Sequence, residues 1–455
     1  MKKHYQLVVV GSGSGGKEAA LVAAKEGLKV LLVEKSTLGG TCLHHGCYPV
    51  RALRACAEAT KDRQLSSKFG LENAEPMVGV EKWLTIQRRV SARLTQDINN
   101  QLEKAGVTVR FAKASLTSPH ELRIASSHGE VEAINAGYIV VATFEQRLSG
   151  ARYVNSDALL TRAEIPKHLL VAGGGYIGCE FASIFRSLGS VVTLVEREDR
   201  LLPNWDASLG KYIADCLRSA GINILLEHDI DLPSPGEVLD EPVLVLENGT
   251  CISPDLVLAA IGRKPNVEEL GLENLGIETK PFVVVNDQLQ TSYPTIFAVG
   301  DINGLSLLDS SAVAQARIAI GAILGRKERF SARWIPRCIH TDPPIASIGW
   351  NEEEANKAGL EVISHTQTFR LITDDERTVV NPLPTMVKVL LQPESRQLMG
   401  VHVVGTHAAE IVNFASMAAR TGLTLDQLLQ VPLVHPSATE VFQECANGLS
   451  RIPAG

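Results

Sequence analysis

Apolar positions along the chain fall into runs of two periods. Residues 5–10, YQLVVV, form a continuous apolar and β-branched run, the length expected of a parallel strand covered on both faces. A glycine-rich turn, GSGSGG, follows, then KEAALVAAKEG reads as a helix ended by Gly27, and KVLLVE returns to the strand pattern. The same order recurs over 168–196 in HLLVAGGGYIGCEFASIFRSLGSVVTLVE, so the chain predicts two βαβ units. Between and beyond them the pattern predicts a helix over about 82–105 and short strands with turns over 107–142. From RWIPRCIHTDPPIASIGW onward the character changes. The strands TMVKVLLQ and MGVHVVG precede helices over 407–421 and 425–430 with no glycine-rich turn, which suggests an α+β domain.

Both βαβ units carry the G-x-G-x-x-G fingerprint, at Gly11, Gly13 and Gly16 and again at Gly173, Gly175 and Gly178. These glycines permit a tight turn and let backbone N–H groups approach a pyrophosphate at the positive end of a helix. Glu34 and Glu196 close the second strand of each unit at the same distance from the last glycine, where a carboxylate can accept ribose hydroxyls. One fingerprint would be weak evidence; two with matched spacing predict two Rossmann-like dinucleotide-binding domains. The acid at Glu196 favours a free 2′-hydroxyl, hence NAD over NADP, while Arg197 and Arg200 nearby pull the other way.

Composition narrows the class without naming the chemistry. A chain of 455 residues, 45% hydrophobic and 21% charged, is too long for one core and implies about three domains. Its formal charge of −7, with no basic block, lacks the footprint of a nucleic-acid binder. No apolar run approaches membrane-spanning length, and MKKHYQLVVVGSG enters a strand without a signal or transit pattern, so a cytoplasmic location is expected. Eight cysteines over this length are no disulfide framework, and Cys56, Cys179, Cys216, Cys251, Cys338 and Cys445 are expected to be buried thiols.

Cys42 and Cys47 stand apart, in GGTCLHHGCYPVRAL. On an ideal helix, residues five apart have Cα atoms roughly 8 to 9 Å from one another. That exceeds the limit of about 6.8 Å for a disulfide, so a bridge requires bent backbone. Gly46 can supply the bend, and Pro49 predicts a regular helix beginning there. Cys47 then lies at a helix amino terminus, where partial positive charge favours a thiolate, and Cys42 lies outside that field as the more accessible partner. A pair of unlinked buried thiols and a zinc site with His44 and His45 are the competing readings, although adjacent histidines rarely converge on one ion.

The redox segment G-G-T-C-x-x-x-G-C-x-P resembles that of the flavoprotein disulfide reductases of the dihydrolipoamide dehydrogenase and glutathione reductase type. The resemblance spans nearly the whole chain, through both fingerprints, AAIGRKPN, TIFAVGD, TDPPIASIG and HPSATE. It implies FAD held by Gly11, Gly13, Gly16, Glu34, Lys35, Gly40, Thr41, Thr143, Gly300 and Asp301. NAD would sit on Gly173, Gly175, Tyr176, Ile177, Gly178, Glu196 and Gly262, and no metal is implied. Electrons would pass between nicotinamide, flavin and a Cys42–Cys47 redox disulfide, with Cys47 facing the flavin and Cys42 exchanging with substrate. His435, oriented by Glu440, matches the catalytic acid–base, since a thiolate attacking a disulfide releases a second thiolate that must be protonated. The same comparison implies a homodimer with composite active sites. The expected domains are 1–147 (FAD-binding, first part), 148–274 (NAD-binding), 275–334 (FAD-binding and central) and 335–455 (dimerisation).

Four departures from the family pattern concern flavin and substrate more than sulfur. Val50 and Arg51 replace a Ser-Lys pair, with Arg51 a possible partner for Glu180; Phe144 replaces a glycine; Leu433 replaces a histidine; Asp309 and Ser310 replace an alanine and a histidine. The terminal ECANGLSRIPAG lacks the cysteine pair of mercuric reductases and large thioredoxin reductases, and Cys47 is the residue that soluble transhydrogenases lack. The expected activity is NAD-linked oxidation or reduction of a dithiol or disulfide, with a lipoylated carrier protein as leading substrate. The alternatives are a reductase of a low-molecular-weight disulfide, possibly NADPH-linked, and a redox-silent flavin-binding dimer with a regulatory role.

Overall fold

The computed structural model describes residues 3–66, 79–143, 153–230, 244–245, 251–263, 265–370 and 384–449; Phe144 lies outside them. The chain divides into two compact units, one made of residues 1–53, 79–147 and 262–332, the other of 54–78, 148–261 and 333–455.

In the first unit β1 (Lys3–Val10), α1 (Ser14–Lys25) and β2 (Val30–Glu34) form the predicted βαβ element. The unbroken apolar run of β1 follows from burial on both faces. Leu7 and Val9 pack on Ala19, Ala20 and Ala23 of α1, while Val8 and Val10 face Leu116, Leu122 and Ile134. Then come α2 (Gly40–His44), α3 (Cys47–Ser66), whose residues from Arg54 on belong to the second unit, α4 (Val80–Lys104), β3 (Thr108–Phe111), β4 (Lys113–Ser118), β5 (Glu121–Ala125) and β6 (Val131–Val141). The sheet order is β3-β2-β1-β6-β5-β4, with strand Ile296–Ala298 also paired to β6. Pairs among β3, β2, β1 and β6 are parallel, and β5 is antiparallel to both neighbours. The helix Asp309–Ile323 completes the described part of this unit.

Two helix starts differ from the sequence expectation. α1 opens at Ser14, three residues early, because Gly13 is already extended and Gly16 belongs to the first turn. α3 opens at Cys47 rather than Pro49. The first three N–H groups of a helix have no internal acceptor, so proline is as admissible at the third position as at the first.

The second unit repeats the nucleotide-binding pattern. A parallel sheet runs β10 (Asn223–Leu225), β9 (Val191–Val195), β8 (His168–Ala172), strand Leu256–Ala259 and β7 (Tyr153–Val154), with α5 (Ser156–Leu159) after β7, α6 (Tyr176–Ser187) between β8 and β9 and α7 (Ala207–Ser219) after β9. A five-stranded antiparallel sheet follows, in the order Arg337–Ile339, Ile345–Gly349, Leu398–Val404, Pro384–Leu391, Ile363–Arg370. The helix Ala408–Thr421 buries Ile411, Val412, Ala415 and Ala418 in the same core as Val387, Val401 and Val403.

A polar knot lies inside this unit. Asp206 caps α7 by accepting the Ser208 N–H at 3.0 Å, and its carboxylate also receives Lys388 Nζ at 2.9 and 3.0 Å. Lys388 reaches Glu352 as well. His402 is fully buried, with Nδ1 2.7 Å from Ser347 Oγ and Nε2 2.9 Å from the Trp350 carbonyl. Burial pushes its imidazole down to about 4, against the opposing pull of Asp206. Burial also works to raise the Asp206 carboxyl, but His402, Ser208 and Lys388 outweigh it and hold it below the usual carboxylate value. With His402 neutral above about pH 4, Lys388 supplies the charge near neutrality.

Of the six thiols expected to be buried, Cys179 and Cys445 are. Cys56, Cys216 and Cys338 are half-buried, because two lie on helix flanks and the third on the sheet's outermost strand. The Cys251 side chain lies outside the described residues. Among the described residues, no helix is long and apolar enough to cross a membrane.

Candidate active site

The two fingerprints have the same geometry. A Cβ on Gly16 would stand 1.9 Å from the Gly11 carbonyl oxygen, and one on Gly178 would stand 1.8 Å from that of Gly173. No side chain fits either position, so each helix start lies directly on its glycine turn. The caps, Gly13 and Gly175, are extended, offer no side-chain acceptor to the first turn, and have open space where a Cβ would be. Neither helix carries an acid in that turn. Two uncapped helix starts free of negative charge are the arrangement that accepts a pyrophosphate.

The two carboxylates also match. Glu34 accepts the Ser12 N–H at 2.9 Å, the Ser12 hydroxyl at 2.7 Å and the Ser36 N–H at 3.0 Å. Glu196 accepts the Gly174 N–H at 2.6 Å and the Glu198 N–H at 3.0 Å. Each is thereby fixed beside its turn, where a ribose hydroxyl would arrive. Arg197 pairs with Glu198 at 3.2 Å, and Arg200 with Glu353 at 2.9 Å. Both guanidiniums that could attract a 2′-phosphate are thus engaged. Tyr176 and Ile177 open α6, and Gly262 follows strand Leu256–Ala259.

Around the first fingerprint, Lys35 is exposed just beyond Glu34, and the Thr143 hydroxyl donates to the Asn266 carbonyl at 3.3 Å. Asp301 sits in the turn Gly300–Asn303. Burial pushes its carboxyl up to about 6; Arg263, 3.9 Å away, opposes this and Asp309 adds to it. The Gly300 N–H donates to buried Gln315 at 2.7 Å, and Asn303 donates to the same oxygen at 2.7 Å. Sequence reasoning missed Gln315, since one polar residue in an alanine-rich helix gives no periodic signal.

The cysteine segment is built onto the first fingerprint. A Cβ on Gly40 would lie 2.6 Å from Gly13 Cα, so α2 rests on the nucleotide turn. From α4, Ser91 donates its hydroxyl to the Leu43 carbonyl at 3.1 Å, and Thr95, one turn on, donates to the Leu38 carbonyl at 3.5 Å. His44 Nε2 lies 2.8 Å from the Leu38 carbonyl, and His45 is exposed. The backbone then breaks at Gly46, where a Cβ would be 3.2 Å from the Thr41 carbonyl oxygen. The first bond of α3 runs from the Val50 N–H to the Gly46 carbonyl at 3.0 Å, which places Cys47 at the first helical position.

Cys42 and Cys47 carry free sulfurs, hydrogen-bonded to each other. That bond, then burial, then the charges of Cys47 and Asp309, push the Cys42 thiol far up, while Cys47 is the sulfur at the helix start. Accessibility is the reverse of the sequence expectation: Cys47 is exposed and Cys42 half-buried. Cys42 lies inside the turn with Asp309 and Tyr48 close by, whereas Cys47 stands at the open edge of a new helix.

In the other unit, His435 is exposed, and its Nδ1 lies 2.8 Å from Glu440 Oε1. Glu440 also accepts the Ser437 N–H at 2.8 Å, closing a capping box. The Ser437 N–H, then His435, hold its carboxyl below the usual value. With Nδ1 donating to the carboxylate, Nε2 is left to take or give a proton. Leu433 is half-buried two residues upstream. Arg51 is exposed on α3, and Glu180 is half-buried on α6.

A family model described as pyridine nucleotide-disulphide oxidoreductase matches residues 5–322, and one for the dimerisation domain of the same family matches 335–446. The chain belongs to this family. Members use FAD and NAD(H), and the uncapped helix starts and fixed carboxylates fit both dinucleotides. The dihydrolipoyl dehydrogenase of Chlorobaculum tepidum is 32% identical over 97% of this chain and 96% of its own length. That of Bacillus subtilis is 30% identical over 96% and 97%. The HOCl-induced flavoprotein disulfide reductase RclA of Escherichia coli superposes with a TM-score of 0.82 at 26% identity, over 99% of this chain and 100% of its own. The chain is therefore an FAD-dependent NAD(H)–disulfide oxidoreductase, and its dimerisation domain makes it a homodimer.

Proposed function

We propose that this protein exchanges an electron pair between NAD(H) and a lipoyl dithiol borne on a carrier protein, through Cys42 and Cys47, in the cytoplasm. The observation that carries the reading is the cysteine pair at the Gly46 break, a half-buried Cys42 beside an exposed Cys47 at a helix start. The relatives named dihydrolipoyl dehydrogenase support the choice of substrate, and Glu196 with its engaged arginine neighbours supports NAD over NADP.

In the oxidative direction, one substrate thiolate attacks Cys42 Sγ of the disulfide and Cys47 leaves as thiolate, giving a mixed disulfide. His435 Nε2 removes the proton of the second substrate thiol, which attacks the substrate sulfur and releases Cys42. The substrate leaves as a disulfide and the pair holds two electrons. FAD held at the Gly11–Gly16 turn and Glu34 would supply the two-electron carrier between the thiol pair and NAD. Glu440 holds the imidazole in the tautomer this needs. His435 stands out from its own unit beside exposed Val434, as expected if it serves the thiols of the partner subunit.

Anaerobic titration of the purified enzyme with NADH tests the sulfur chemistry. A long-wavelength absorbance at two electrons, lost in Cys47→Ser, supports it; simple flavin bleaching in both proteins refutes it. Turnover with lipoylated carrier domains exceeding that with small disulfides supports the substrate.

A further inference from the structure

The segment that follows Glu196 is gripped from two sides. On one side it lies against the second fingerprint. The Leu202 N–H donates to the Gly174 carbonyl at 2.9 Å, and a Cβ on Gly174 would stand 2.6 Å from Leu201 Cδ2. Gly174 is also the residue whose N–H holds the Glu196 carboxylate, so turn, carboxylate and segment form one assembly. Leu202 takes a φ of +53°, a left-handed backbone that a bulky side chain adopts only where its surroundings impose it. α7 closes the assembly from behind, since a Cβ on Gly210 would stand 2.2 Å from the Leu201 carbonyl oxygen.

On the other side the segment is tied to elements outside the parallel sheet. Asp206 pairs with Lys388 of strand Pro384–Leu391 at 2.9 Å, both side chains being buried. Lys388 continues to Glu352, which opens the helix Glu352–Lys357, and the next acid of that helix, Glu353, takes Arg200 at 2.9 Å. The Arg337 guanidinium lies over the Trp205 ring, 4.8 Å from its centre. On the Lys388 face of its strand, Met386 and Leu390 are buried and apolar, so packing alone does not call for a charge between them. A buried ion pair loses in desolvation about what it gains in attraction, so its worth lies in the geometry it imposes.

We propose that Lys388 is a positioning residue for coenzyme binding: by holding Asp206 it fixes residues 200–206 against the Gly174 turn, and so keeps Glu196 and the start of α6 in the geometry that receives NAD(H). It acts through Asp206 and Leu202 rather than by touching the coenzyme. With the tie cut, NAD(H) must order this assembly as it binds, and the loss falls on affinity. Hydride transfer from coenzyme already bound is left as it was.

The inference rests on the second fingerprint being the NAD(H) site, and its test separates the two. Stopped-flow reduction of the flavin in the holoenzyme, over a series of NADH concentrations, gives the half-saturating concentration and the limiting rate independently. Lys388→Met keeps the length of the side chain, and Asp206→Asn keeps a cap for α7 while removing the ion pair. Both should raise half-saturating NADH by roughly tenfold and leave the limiting rate within about twofold of native. Glu353→Gln, which cuts a partly exposed tie, should raise it by a smaller factor. Should Lys388→Met fail to fold, Asp206→Asn and Glu353→Gln carry the test. Native half-saturation in Asp206→Asn overturns the proposal even if the protein unfolds at a lower temperature, and so does a fall confined to the limiting rate. If Gly178→Ala raises half-saturating NADH and these variants do not, this inference alone fails; if Gly178→Ala leaves it native as well, the site assignment fails with it.

Discussion

Replacing His402 by glutamine should remove a pH-dependent component of stability. The imidazole is fully buried, and burial lowers it from 6.5 to about 4, so the unfolded chain binds a proton through this window that the folded chain refuses. Its contribution is therefore fully present above pH 6.5 and is lost as pH falls toward about 4, where the folded state protonates too. Each unit is worth about 1.4 kcal/mol, and the lowering amounts to about 3 kcal/mol. Glutamine can still offer groups to Ser347 Oγ and the Trp350 carbonyl but cannot titrate. Urea unfolding of both proteins at one fixed dimer concentration, repeated from pH 6.5 down to about 4, gives the difference between their stabilities at each pH. That difference should move by about 3 kcal/mol against the native protein on acidification. Parallel stability curves would refute the assignment of a neutral buried imidazole.

His435→Ala should cut disulfide turnover by about 10²- to 10⁴-fold while NADH still reduces the flavin at close to the native rate, seen by stopped-flow absorbance; equal losses in both steps would remove its acid–base role. Gly178→Ala must displace α6 from the Gly173 carbonyl, because the new Cβ would stand 1.8 Å from that oxygen. It should weaken NADH about a hundredfold in titration calorimetry and leave FAD content unchanged; native affinity would show that the turn yields more readily than its spacing allows.

The sequence revealed most where local chemistry and spacing coincide. Glu34 and Glu196 were legible because one spacing recurs, and the structure gives them matching bonds to their turns. The place of Cys47 at a helix start was legible from Gly46 and Pro49, but the exposure of the two sulfurs was not, since it depends on how the turn between α2 and α3 packs. Ser91 and Thr95 look like the solvent face of an amphipathic helix until the cysteine loop is seen to hang from them. Lys388 and Asp206 lie in separate elements, and only the folded backbone makes them a pair. What sequence could not supply is in each case a hydrogen bond between segments whose meeting no local pattern encodes.

The two interlocked glycine turns have a consequence for redesign. With no clearance at Gly16 or Gly178, neither loop can be reshaped to suit another dinucleotide. A change of coenzyme must be made at the end of β9, where Glu198 and Glu353 act as leashes on Arg197 and Arg200. Cutting those leashes while neutralising Glu196 would release two cations already in place, a shorter evolutionary path to phosphate affinity than recruiting new ones.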